Sequence, residues 1–380
     1  MHDKRLKFNE SESARHDDGF RLADRPADYK RLGIVPVEIA EFEDGQRIGT
    51  EKGHYEWWYF DAHLDNGATV VVVFYTKPNV SPNGPLAPRI TINITLPDGR
   101  TFDKFLDTRP ELFTASKSGC DVRIGTNRFV GDLNRYHITA DIEEISVEIE
   151  LTGEVPAWRP KSGHLYFGAE GREQLFAWLP AVPHGPASVR YRIGDEQHRA
   201  SGSGYHDHNW GDVPMQTLMH NWYWARASAG PYTIIASYIT ATAAYRYKTQ
   251  IVYMLAKDGK IIADDDAKVS FESDRVATDS KTGKPVADVT RYTYHDADTS
   301  YVVSFERQTT ILQAILTDRA PLLKRIIARL IGFDGAYHRF TGKVTIEKFE
   351  DGVPVERFDD RAIWELMYFG RARPSGVEIQ

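Results

Sequence analysis

Residues 202 to 226 hold the densest chemistry in this 380-residue chain: Gly-Ser-Gly-Tyr-His-Asp-His-Asn-Trp-Gly-Asp, then Met-His-Asn-Trp-Tyr-Trp-Ala-Arg. Three histidines (His206, His208, His220), two aspartates (Asp207, Asp212) and three of the eight tryptophans (Trp210, Trp222, Trp224) fall within it. The set admits three uses. His206-x-His208 with His220 offers three nitrogen ligands for a metal, and Asp207 or Asp212 an oxygen. No further acidic ligand is fixed by spacing, so no metal is assigned. An Asp–His assembly offers acid–base catalysis, with burial beside aromatic rings keeping a carboxyl protonated at neutral pH. The same side chains also suit a buried polar network that ties two lobes together, each histidine satisfied by a carboxylate. We favour the acid–base reading.

Alternation divides these residues. In an extended segment Tyr205, Asp207 and Asn209 face one side while His206, His208 and Trp210 face the other. In the next strand His220, Trp222 and Trp224 share a face, opposite Asn221 and Tyr223, and form an aromatic wall with one histidine. Gly202, Gly204 and Gly211 permit tight turns and close backbone approach, which would present the residues between them at a cavity mouth. A second unusual segment, residues 54 to 63, puts His54, Glu56, Trp58 and Phe60 on one strand face and Tyr55, Trp57, Tyr59 and Asp61 on the other. A glutamate among so many rings is costly to bury unless neutral or paired. Glu56 is therefore a second candidate acid or base, or else it pairs with an arginine or caps a strand.

The elements around these segments read as β-structure. Runs such as Ala68 to Tyr75, Ile145 to Leu151, Tyr232 to Thr240 and Gly342 to Phe349 are β-branched and aromatic. Turn signals such as Asp65-Asn66-Gly67, Pro97-Asp98-Gly99, Asp258-Gly259 and Asp351-Gly352 separate such runs, as in antiparallel hairpins. The expected fold class is all-β: two barrel or sandwich domains, residues 35–215 and 216–380, after a polar, charge-rich mobile arm at 1–34. The length favours two cores over one. One short amphipathic helix is expected near 321–331, with apolar pairs at 322/323, 326/327 and 330/331 and with Lys324, Arg325 and Arg329 elsewhere on the wheel. It suits a barrel plug, or a lid making peripheral membrane contact.

An aromatic share of 12% favours strands and apolar pockets. The formal net charge of −7 argues against a nucleic-acid partner, which needs a concentrated basic surface. The single cysteine, Cys120, excludes an internal disulfide and fits a reducing, cytoplasmic compartment. Neither a leader nor an apolar run long enough to span a bilayer is read. Oligomeric state is not legible.

Glu56-Trp57-Trp58-Tyr59-Phe60, Gly202-x-Gly204-Tyr205-x-Asp207-x-Asn209-x-Gly211 and Trp364-Glu365 together resemble the carotenoid 1,2-hydratase (hydroxyneurosporene synthase) family, from about residue 45 onward. The resemblance implies two lipocalin-like units side by side. It also implies addition of water to a trisubstituted C=C of an apolar isoprenoid or carotenoid-like substrate, without an organic cofactor. The same scaffold hosts fungal Diels–Alderases, so cyclisation of an apolar polyene is the second expectation and a noncatalytic binder of lipid-like molecules the third. Hydration needs an aimed acid and a shelter for a tertiary carbocation. We expect Asp207 to donate the proton, with His206 and His208 setting its protonation and placing water. Trp210, Trp222 and Trp224 form the cation-stabilising wall. His220, Tyr223 and Glu56 are second-rank candidates, and Trp58 and Tyr205 complete the expected substrate contacts.

Overall fold

A computed structural model describes residues 19–318 and 333–373 of the chain. The helix expected near 321–331 lies outside the described residues. The described residues are mainly antiparallel β-structure, in two large curled sheets. The first, of thirteen strands, runs from Phe20 to Gly211; the second, of nine, runs from Met219 to Tyr368. The expected all-β, two-unit lipocalin-like architecture is what the chain adopts.

Both sheets are meanders with the same closure. The first long strand of each pairs with its last: Tyr55–Leu64 with Glu196–Gly211, and Met219–Ala229 with Val353–Tyr368. Hairpin chemistry follows the sequence. Asp258-Gly259 (φ 50° and 74°) and Asp351-Gly352 (φ 49° and 76°) put two consecutive residues at positive φ, as a type I′ turn requires.

Three apolar clusters result. One fills the first sheet's interior around Trp58, Phe60, Phe74 and Phe129, and a second fills the other interior around Tyr253, Phe305, Phe340 and Trp364. The third lies between the lobes, where Tyr55, Trp178 and Tyr205 meet Leu218, Ile235, Ile239 and Met254. The lobes are thus joined by buried apolar surface, worth about 25 cal/mol per Å2 removed from water.

Residues 20 to 32, expected in a mobile arm, instead form a paired strand and a helix, with Phe20, Leu22, Ala23 and Asp28 buried. Phe20–Leu22 pairs with His164–Phe167, and Phe20 stacks on Phe167 at 4.5 Å between centroids. Pro26–Leu32 is a helix. The charges that suggested solvation are paired, Arg21 with Asp28 at 2.7 Å and Arg31 with Glu173 at 3.2 Å.

Candidate active site

The Glu196–Gly211 strand keeps unbroken register with Tyr55–Leu64 through the motif, so alternation holds. Its glycines sit at negative or extended φ and serve only close approach: a Cβ at Gly202 would lie 2.1 Å from the His63 carbonyl oxygen, and one at Gly211 would lie 2.3 Å from the Tyr55 hydroxyl. Tyr205, Asp207 and Asn209 face the seam between the lobes, whereas His206, His208 and Trp210 face the interior of the first sheet.

On the seam side is a cavity of about 220 Å3. The first lobe contributes Trp57, Tyr59, Tyr75, Phe176, Trp178, Asp207 and Asn209, among others. The second contributes Met219, Trp222, Trp224, Ile239 and Glu365, and Met215 from the connecting helix lies between. Among the described residues no lysine, arginine or histidine lines it, and its only carboxyls are Asp207 and Glu365.

Asp207 is 7% exposed and accepts three hydrogen bonds. Trp178 Nε1 (2.8 Å) and Tyr205 Oη (2.7 Å) donate to Oδ2, and Asn209 Nδ2 (2.8 Å) donates to Oδ1. Burial penalises the carboxylate more than these donors favour it, and pushes the group up to about 6. Oδ2 is thereby filled, while Oδ1, with one donor, retains a lone pair for a proton. Glu365, on the Val353–Tyr368 strand, accepts from Tyr337 Oη at 2.7 Å and from Trp222 Nε1 at 3.4 Å. Burial raises it too, opposed by the Tyr337 bond and the Arg339 guanidinium.

The histidines do not join Asp207. His206 Nδ1 donates to the Tyr59 carbonyl at 2.8 Å, and its Nε2 faces Asp44 Oδ2 at 3.2 Å. His208 Nε2 meets Glu56 Oε1 at 2.7 Å, while its ring stacks on Trp58 at 4.6 Å. Tyr136 Oη donates to Asp44 at 2.5 Å, and that carboxyl is held low chiefly by the two histidines against the cost of burial. Asp44, Glu56, His206 and His208 are thus one polar network in the first lobe's core, out of reach of the cavity. Asp44, Cys120 and His206 bring donor atoms within 4.8 Å of one another and are the one group among the described residues able to hold a metal. His220 stands on the other lobe's sheet and takes no part in it.

Of the expected substrate contacts, Trp222 and Trp224 line the cavity and Tyr205 abuts it through Asp207. Trp58 and Trp210 belong to the first core, and Tyr223 points into the second, where its hydroxyl accepts from Ala287 N at 3.0 Å. His220 leaves the Trp222/Trp224 row because the strand bulges between Met219 and Asn221. Met219 takes its place at the cavity, and His220 contacts the Arg371 carbonyl at 2.8 Å. Trp57, Tyr59, Tyr75, Phe176, Trp178 and Glu365 were not among the expected residues. The aromatic alternation of residues 54 to 63 held the signal for Trp57 and Tyr59, and the Trp364-Glu365 pair held it for Glu365.

Comparison with known proteins places the chain among relatives of this architecture. A Diels-Alderase-like family model matches residues 40–314. A hydroxyneurosporene dehydrogenase of Chlorobaculum tepidum is 30% identical over 212 residues, covering 46% of this chain and 53% of that protein. The chain spans about half the length of the curated relatives it matches. The crystal structure of CghA superposes with a TM-score of 0.62 at 14% identity, over 90% of this chain and 94% of that one. Kievitone hydratase of Nectria haematococca gives a TM-score of 0.50 at 12% identity, over 88% and 94%.

Proposed function

Since the chain belongs to the Diels-Alderase-like family, we propose that it is a cofactor-independent hydratase that protonates an apolar, isoprenoid-type alkene from Asp207 and adds water to the resulting cation. The observation that carries this reading is a carboxyl, raised to about 6 by burial, opening onto a cavity lined mainly by aromatic and other apolar side chains. An acid tuned near the working pH balances the protonated fraction against donor strength, and general acid catalysis contributes about 10²- to 10⁴-fold.

Trp178 and Tyr205 fill Oδ2, so the transferable proton rides on Oδ1. As it leaves, the three donors already in place receive the new carboxylate without rearrangement. Protonation at the less substituted carbon leaves a tertiary cation. The faces of Trp57, Trp178, Trp222 and Trp224 stabilise it by roughly 0.5 to 2 kcal/mol each. The cavity volume suits the end of a polyene, with the remainder of a long substrate outside.

Cyclisation of a polyene held between the two aromatic walls is the second reading, favoured by walls drawn from both lobes. Product mass separates the two. Incubation in oxygen-18 water followed by mass spectrometry yields a labelled product, one water heavier, from a hydratase, and an unlabelled isomer from a cyclase. Asp207→Asn abolishes the hydration product; a variant with wild-type turnover removes Asp207 as the acid.

A further inference from the structure

Resting on the hydratase reading, we propose that Glu365 is the base that takes the proton of the attacking water, so that one carboxyl from each lobe acts on opposite sides of the alkene. The cavity's own inventory points to it. Among the described residues no histidine, lysine or arginine lines the space. Its phenols are poor bases, since burial pushes Tyr75 up to about 12 and Tyr59 well above its ordinary range. Asn79 and Asn209 are not basic. Asp207 aside, Glu365 is the group left, and it stands on the other lobe's sheet.

Its surroundings fit the task. Tyr337 fixes Oε2 at 2.7 Å, while Trp222 approaches Oε1 only at 3.4 Å, leaving that oxygen room to accept from a water. Burial raises Glu365 above the ordinary carboxylate range, the direction of a stronger proton acceptor, while the Tyr337 bond and the guanidinium of Arg339, opposite it in the strand register, oppose that rise. In the forward step the Asp207 O–H bond breaks and a C–H bond forms from the alkene π pair. The water oxygen bonds to the cationic carbon, and one of its protons passes to Glu365. Glu365 then releases its proton to solvent and Asp207 takes one up, which restores both groups for the next turnover.

Two isotopes separate the steps. Wild type, Glu365→Gln and Tyr337→Phe are incubated with lycopene, squalene and geraniol in deuterated water and, separately, in oxygen-18 water. Deuterium in recovered alkene reports protonation by Asp207, and oxygen-18 in product reports water capture. The Gln variant is expected to keep deuterium exchange while losing oxygen-18 incorporation at least ~100-fold. Tyr337→Phe, which leaves the carboxyl in place, is expected to lose part of it. Oxygen-18 incorporation at the wild-type rate in Glu365→Gln overturns the assignment with the hydratase reading intact. Failure of wild type to incorporate either isotope overturns that reading and this assignment together.

Discussion

Replacing Asp207 with Asn should inactivate the protein and stabilise it. Burial raises this carboxyl from its ordinary 3.8 to about 6, so the folded state holds the proton more tightly than the unfolded chain does. Stability from Asp207 is fully present below about pH 4 and is lost as pH rises through about 6, each tenfold difference in proton affinity being worth about 1.36 kcal/mol. The loss at pH 8 is about 3 kcal/mol. Asn carries no such penalty. Its carbonyl accepts from Trp178 and Tyr205, although its amide faces the Asn209 amide, which must turn over at a cost of about 1 kcal/mol. Urea unfolding followed by tryptophan fluorescence from pH 4 to 8 should show the two proteins diverging between pH 4 and 6. The variant should end roughly 2 kcal/mol more stable, with constant separation above pH 6. Parallel pH curves, or a variant that loses stability as pH rises, would refute the claim that the wild-type carboxyl is held up by burial.

Hydration rate should fall as pH rises above about 6, because the acid form of Asp207 is depleted; Tyr205, Trp178, Asn209 and His206 are the groups acting on it, and a flat profile from pH 5 to 9 would contradict its role. Trp178→Phe removes one charge-assisted donor, worth about 1.5–3 kcal/mol, and should move that limb upward by about one pH unit or more in a pH–rate titration. His208→Ala leaves buried Glu56 with the Arg47 N–H as its remaining donor and should cost about 3 kcal/mol in urea unfolding, while turnover per folded molecule changes far less than in Asp207→Asn.

Much of this is written in local chemistry. Period-two alternation alone separates Asp207 from His206 and His208, and the Asp-Gly pairs mark two type I′ turns. What alternation could not supply was the environment of each face. Whether His206 or Asp207 meets a cavity depends on the pairing of Glu196–Gly211 with Tyr55–Leu64 and on the docking of the second lobe, both set by contacts distant in sequence. The Gln174–Ile193 strand, which carries Phe176 and Trp178 to the cavity, was hidden by Pro180, Pro183 and Pro186; the first two fall at register shifts between Pro180 and Gly185, and Pro186 pairs in register with Ser203. The bulge that turns His220 away left no composition signal. Residues 20 to 32 misled because paired charges read, in sequence, like solvated ones.

The central claim is that Asp207 protonates an alkene that then takes up water. Mass spectrometry of acyclic isoprenoids incubated with wild type and Asp207→Asn in oxygen-18 water tests it most directly. One labelled water should be added by wild type and none by the variant. An unlabelled isomer from wild type, or equal labelling by both proteins, would contradict it.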